Sequence, residues 1–108
     1  MAGKVDRIQD PELRASLQAA QDSLRRGDYQ DAVRRSAEAF LEMLRRRPEL
    51  LQGQEGIRRI FMFPRLGVEL VVTPGSPPAL RYQRDRFSFS EAVTYLEFAT
   101  EQLLREGM

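Results

Sequence analysis

Arginine and aromatic side chains are interleaved between residues 81 and 87, where the sequence reads Arg-Tyr-Gln-Arg-Asp-Arg-Phe. Such mixtures are typical of surfaces that bind single-stranded nucleic acid, because the cations neutralise phosphates while the rings stack on bases. The candidate contacts with a polyanion are Arg81, Tyr82, Arg84 and Arg86. A solvated strand, or one paired within the protein, gives the same pattern, so the run by itself does not decide between them.

The periodicity of this run favours pairing within the protein or between subunits. In a regular strand Leu80 and Tyr82 share a face with Arg84 and Arg86, and the first two belong in a core. The two arginines must then extend past the core edge, follow a bulge or meet acidic partners. Residues 51–87 carry six basic and three acidic groups, whereas residues 88–108 carry one basic and four acidic groups. The acidic last segment is therefore the predicted partner.

The residue types required by most enzyme mechanisms are missing from the chain. There is no histidine and no cysteine, so the commonest general base, the usual zinc ligands and any reactive thiol are absent. The sequence also lacks a nucleophile elbow, a phosphate-binding glycine loop and an aspartate-rich calcium loop. A carboxylate pair such as Glu69 with Glu97 is the arrangement that the composition leaves open. We expect a non-catalytic protein without metal or cofactor.

Two amphipathic helices with a tight connection are predicted in the first half of the chain. Asp10 followed by Pro11 is typical of a helix start, with a side-chain acceptor at the N-cap and proline at the first helical position. Gly27 suits the left-handed residue that ends a helix, and Asp28 can cap the next helix, which runs to about Arg46. The sequence therefore predicts an αα-hairpin.

The hinge of this hairpin, Gly-Asp-Tyr at 27–29 with Ala32 and Ala39 beyond it, resembles that of a tetratricopeptide repeat. In that family small residues let two antiparallel helices approach closely. Residues 13–48 also resemble the central hairpin of HEPN-type domains, many of which cleave RNA or bind nucleotides. The HEPN nuclease motif requires a histidine, which this chain lacks. Because the unit is not repeated, we expect a single helix-packing hairpin rather than a solenoid.

Strand-like runs follow residue 56, separated by turn-forming segments. The runs cover residues 57–63, 67–72 and 79–87, and the proline-rich and glycine-rich segments between them predict antiparallel turns. In the second run Val68, Leu70 and Val72 alternate with Glu69, as in a half-buried strand. Residues 57–63 suit a third strand or a short buried helix equally well.

A final helix is predicted from a capping box, with Ser88 at the N-cap and Glu91 at the third helical position. Its predicted buried stripe consists of Phe89, Ala92, Val93, Leu96, Ala99 and Leu103. Tyr95 and Phe98 widen this stripe, and Phe61 and Phe63 add aromatic surface. Because exposed aromatic patches commonly mark contacts, these four residues are the candidate interface of a homodimer.

Together these features predict one α+β domain over residues 1–108, ordered α-α-β-β-β-α, with residues 1–9 as a loose N-terminal segment. No targeting or membrane-spanning segment is recognised, so a cytoplasmic location is expected. The absence of asparagine and cysteine fits a thermophile. The predicted function is a protein-interaction module that self-associates and has an unknown protein partner. The alternative is a nucleic-acid-binding accessory protein that uses residues 81–87.

Overall fold

The computed structural model describes residues 2–51, 58–59, 67–72 and 75–108. Its helices are α1 (Ala2–Asp6), α2 (Pro11–Arg25), α3 (Tyr29–Arg46) and α4 (Phe89–Arg105), and a 3-10 turn spans Pro48–Leu51. Its strands are β1 (Arg58–Arg59), β2 (Val68–Val71) and β3 (Ala79–Tyr82). The chain is therefore α+β, with helices before and after an antiparallel sheet, as the sequence predicts.

The predicted helix starts are confirmed by their capping hydrogen bonds. The Asp10 side chain accepts from the Leu13 N–H at 3.1 Å, and the Asp28 side chain accepts from the Asp31 N–H at 3.2 Å. Gly27 has a φ of +82°, the left-handed conformation predicted for the α2–α3 hinge. At α4 the full capping box of Ser88 is present. Local sequence therefore sets these boundaries.

The sheet is a meander in the order β1–β2–β3. Its regular part is the hairpin of β2 and β3, in which Val68 lies opposite Tyr82 and Leu70 opposite Leu80. The two-residue strand β1 adds to the other side of β2. The rest of the predicted run 57–63 lies outside the described residues, so the choice between strand and helix stays open there.

Helix α3 is at the centre of the core, with α2 and α4 packed against it. Phe40 of α3 lies next to Phe98 of α4, with 5.3 Å between ring centroids. Buried polar side chains have partners: the Ser36 and Thr100 hydroxyls donate to carbonyls one turn earlier in their helices. Of the helices in the described ranges, none combines the length and the apolar character needed to cross a membrane.

Residues 2–6, predicted as part of a loose segment, instead form helix α1, which contacts α2 and α4. Val5 and Ile8 are both buried, and Arg14 of α2 donates a side-chain hydrogen bond to the Ile8 carbonyl at 3.0 Å. Two apolar residues spaced by three positions were too few to reveal this docking from periodicity.

Candidate functional site

Strand β3 has one edge turned away from β2. In an antiparallel pair, alternate residues exchange hydrogen bonds with the neighbouring strand while the residues between them point outward. The Gln83 N–H donates to the Gly67 carbonyl at 2.8 Å, so Gln83 and, two residues earlier, Arg81 face β2. It follows that the N–H and C=O groups of Leu80 and Tyr82 point to the outer edge of the sheet.

These outward backbone groups have no hydrogen-bond partner among the residues that the structure describes. Across the described ranges, neither Leu80 nor Tyr82 has a backbone hydrogen bond on its outer side. Both residues line a groove of about 650 Å³, whose other lining residues come from α2 and α3. Leu13 of α2 and Ala39 of α3 are almost fully buried, and most of the helix residues that line the groove are charged, among them Glu38 and Arg35. The outer edge of β3 is therefore a hydrogen-bonding rim beside a cavity large enough for a peptide backbone.

The sequence around β3 keeps this edge short. Pro77 and Pro78 precede the strand, and a proline has no backbone N–H to offer a neighbouring strand. At the other end the chain bends at Gln83 immediately after Tyr82. Short edge strands flanked by proline are a common protection against indiscriminate pairing. Only a segment matched to these few residues can pair with the edge.

Tyr82 is the polar side chain of β3 that faces the groove. It is 40% exposed, and its hydroxyl lies near Glu38 and Arg34 of α3. Partial burial, reinforced by the negative charge of Glu38, raises the pKa of Tyr82 to about 12, while Arg34 acts in the opposite direction. The hydroxyl therefore stays protonated at neutral pH and is a hydrogen-bond donor.

The arginines that line the groove are held by carboxylates. Arg35 donates to Asp31 at 2.7 Å, and Arg46 donates to Glu42 at 3.2 Å and also contacts Asp10 and Glu12. Glu38 differs, because it has no ion-pair partner in the part of the chain that the structure describes. Glu38 is therefore the groove carboxylate without a direct ion pair among these residues, and the nearby Arg34 partly offsets its charge.

Arg81 lies on the opposite face of β3. Its cross-strand neighbour is Glu69, whose carboxylate is buried and accepts a hydrogen bond from the Gln83 side chain at 2.7 Å. Arg81 is exposed, and among the residues described it forms no ion pair. A cation without an ion-pair partner in the described ranges therefore projects from the middle of the open strand.

The predicted polyanion contacts do not all lie on one face of β3. Strand β3 ends at Tyr82, so Arg84 and Arg86 lie beyond the strand rather than on its face. Arg84 donates to Glu91 of α4 and its guanidinium lies 5.2 Å from the Phe87 ring centroid. Arg84 thus occupies a structural position between the sheet and α4.

Of the other three candidates, Arg81 and Tyr82 belong to β3, whereas Arg86 lies beyond its end. Arg81 and Tyr82 project from opposite faces of β3, since successive side chains of a strand alternate. Arg86 is exposed and has no ion pair with any described residue. The carboxyl of Glu91 accepts hydrogen bonds from the Ser88 backbone N–H and from Arg84. Both bonds lower the pKa of Glu91, and the bond from the Ser88 backbone has the larger effect. The acidic helix end is thus engaged with Arg84 alone of the predicted arginines.

The predicted aromatic interface also changes in the structure. Tyr95 is fully buried and packs edge-on against Phe87, with ring centroids 6.1 Å apart, so it belongs to the core and not to an exposed patch. Phe98 is half-buried against Phe40. Phe61 and Phe63 lie outside the described residues. The α4 stripe is wide because α3, α2 and α1 all pack against α4.

The exposed aromatic residues of the described chain are different ones. Tyr82 is one of them, and the other is Phe89, which is 54% exposed although it was predicted in the buried stripe of α4. Phe89 lies at the first position of α4 and its ring contacts Tyr29 edge-on at 5.9 Å. Its position at the helix end, past the last core layer, explains the exposure.

No family model matches this chain, and neither a curated protein nor a solved structure is similar to it. Within the described ranges no cluster of acidic side chains could hold a metal ion. The geometry of β3 and its groove is therefore the basis on which a function can be argued.

Proposed function

We propose that the protein is a non-catalytic protein-interaction module, and that an extended segment of another protein binds to it as an added strand on β3. The observation that carries this proposal is the pair of outward-facing residues, Leu80 and Tyr82, beside the groove. Strand addition uses exactly such groups, because main-chain hydrogen bonds supply the affinity and alternate side chains supply the specificity.

The groove accommodates the side chains of the added strand. A strand beside β3 would lie about 4.8 Å from it. Its residues opposite Leu80 and Tyr82 project into the groove, on the same face of the sheet as those two side chains and towards the side chains of α2 and α3. Small or β-branched side chains suit these two positions, and the residue between them projects to the face of Arg81.

A second copy of the chain is a poor occupant of this edge. In a two-fold antiparallel pair of β3 strands, one register lets both Leu80 and Tyr82 meet residues of the other β3. That register sets Arg81 directly opposite its own counterpart, and like charges at such a position are destabilising. The proposal therefore assigns β3 to a different protein. The predicted homodimer requires another surface.

Nucleic acid is also disfavoured as the ligand. Arg84 is engaged by Glu91 and Phe87, and Arg81 and Tyr82 project from opposite faces. A stacking surface for single strands needs aromatic rings and cations on one side. The residues of the predicted polyanion site do not meet this requirement.

The proposal is tested with a blocked synthetic peptide, Thr-Ser-Val-Glu-Val-Ser-Thr, titrated into nitrogen-15-labelled protein and followed by NMR. We expect the largest amide shifts at Leu80 and Tyr82. Methylating the nitrogens of both valines removes the two donors that face β3, each worth about 1 kcal/mol. Affinity should fall about 30-fold. Methylating the glutamate nitrogen, which faces away from β3, should change it less than about twofold.

The matched protein variants are Leu80→Pro and Leu80→Ala. Both remove the leucine side chain, but only proline removes the outward N–H, and neither breaks a bond between β2 and β3. We expect Leu80→Pro to bind the peptide more weakly than Leu80→Ala. Equal binding by the two variants, together with no effect of valine methylation, would show that β3 does not accept a strand.

A further inference from the structure

Arg81, the central residue of the open edge, carries a positive charge that forms no ion pair with any described residue. Arg81 lies between Leu80 and Tyr82, and its side chain projects from the face of the sheet that is opposite to the groove. The carboxylate nearest in register, Glu69, accepts from Gln83 instead. Arg81 is thus placed opposite the middle residue of any strand that pairs through its two neighbours.

The two faces of β3 differ in free charge. On the groove side, Arg35 and Arg46 are bound by carboxylates while Glu38 has no ion-pair partner among the described residues. On the other face Arg81 has no ion pair with any described residue, and the carboxylate opposite it, Glu69, is buried. An acidic side chain on the added strand is therefore attracted at the middle position and repelled at the positions that face Glu38.

We infer that the partner segment is an extended peptide with a carboxylate residue opposite Arg81. The residues on both sides of this carboxylate residue are uncharged, and their side chains enter the groove. This inference rests on the proposed strand addition at β3. Opposite charges directly across an antiparallel pair are favourable and like charges are unfavourable. Arg81 therefore selects the charge of the partner residue that lies opposite it. The same contact disfavours a second β3 strand, which would present arginine at this position.

Charge exchange between peptide and protein tests the inference. The probes are Thr-Ser-Val-Glu-Val-Ser-Thr and the peptide with lysine in place of glutamate, and the proteins are the wild type and Arg81→Glu. We expect the wild type to bind the glutamate peptide at least about fivefold more tightly, and Arg81→Glu to prefer the lysine peptide. Both preferences should shrink between 50 mM and 500 mM salt, because exposed charges are screened.

A matched control is Arg86→Glu, which makes the same charge change outside the strand. It should leave the preference for the glutamate peptide within about twofold of the wild type, since a charge away from the pairing site acts weakly and without register. A preference that reverses in both variants reflects net charge alone and overturns the inference.

The remaining outcomes separate the two proposals. Equal binding of the glutamate and lysine peptides to both the wild type and Arg81→Glu overturns the selection by Arg81 while strand addition stands. No amide shifts at Leu80 or Tyr82 with either peptide, at millimolar concentration, overturns strand addition and this inference with it.

Discussion

The carboxylate of Asp31 joins the two helices that line the groove, and its removal should destabilise the protein measurably. Asp31 of α3 accepts from the Ser23 hydroxyl of α2 at 2.5 Å, from Arg35 at 2.7 Å and from Arg34 at 3.0 Å. Ser23 is fully buried. The hydroxyl bond, followed by the bond from Arg35, holds the pKa of Asp31 well below its usual range.

The expected magnitude for Asp31→Ala is about 2 to 4 kcal/mol of unfolding free energy. A hydrogen bond to a charged group contributes about 1.5 to 3 kcal/mol, which applies to the buried Ser23 hydroxyl. The two arginine pairs are exposed, and each adds about 0.3 to 0.5 kcal/mol. The control is Asp22→Ala, because Asp22 pairs with Arg25 at 3.2 Å on the solvent side. It should cost less than about 0.5 kcal/mol.

Urea denaturation followed by circular dichroism measures these values, and a double-mutant cycle with Ser23→Ala isolates the hydroxyl bond. We expect a coupling of about 1 to 2 kcal/mol between Ser23 and Asp31. Additive effects of the two substitutions, or a loss with Asp31→Ala no larger than that of Asp22→Ala, would refute this role of the network.

The contribution of the Asp31 carboxylate to stability should depend on pH in a defined direction. The pKa of Asp31 is lower in the folded state than in the unfolded state. The contribution of the ionised Asp31 carboxylate to stability is therefore fully present above the unfolded-state pKa of about 4. It is lost as the pH falls through the folded-state pKa. The stability gap between the wild type and Asp31→Asn should therefore be constant from about pH 5 to 8 and close below about pH 4. A gap that widens on acidification contradicts the assignment.

The other predictions concern the turns, nucleic acid and self-association. Gly27→Ala should lower the free energy of unfolding, measured by urea denaturation, by about 1 kcal/mol, because φ is +82° although no atom lies near the added Cβ. Gly67→Ala should lower it further, because φ is also positive and the added Cβ would lie 2.7 Å from the Arg84 side chain. A labelled single-stranded 20-mer, titrated at two ionic strengths, should bind no more tightly than about 10⁻⁴ M, and micromolar, salt-sensitive binding lost in Arg84→Ala/Arg86→Ala would restore the nucleic-acid hypothesis. The symmetric dimer stays a prediction, which light scattering tests: a 12.5 kDa monomer at every micromolar concentration would contradict it. Because the dimer requires a surface other than β3, the Leu80→Pro variant should have the same mass in solution as the wild type.

Helix boundaries were predictable from the sequence because the signals that set them are local. The caps at Asp10, Asp28 and Ser88 act within three residues, and the glycine at the hinge needs only its own backbone conformation. These features require no knowledge of the tertiary structure. The order of the elements from α2 to α4 follows from them and from the strand-like runs between α3 and α4, whereas α1 was missed.

The candidate site was less predictable because it depends on which strand becomes the sheet edge. The alternation of residues 79–87 indicates two faces, but it does not reveal that β3 ends at Tyr82 or that α2 and α3 border it. Tyr95 and Phe89 were misplaced for a related reason: exposure along α4 depends on where the other helices and Phe87 cover it. Pro77 and Pro78 were the available signal, since prolines commonly flank exposed edges.

Residue-by-residue amide hydrogen exchange of the free protein tests the open edge of β3 most directly. The Arg81 and Gln83 amides face β2, whereas the Leu80 and Tyr82 amides face outward. The account predicts slow exchange at Arg81 and Gln83, rapid exchange at Leu80 and Tyr82, and slowing of these two when the glutamate peptide is added. Exchange at Leu80 and Tyr82 as slow as at Arg81 in the free protein would contradict it, because the edge would then already be paired.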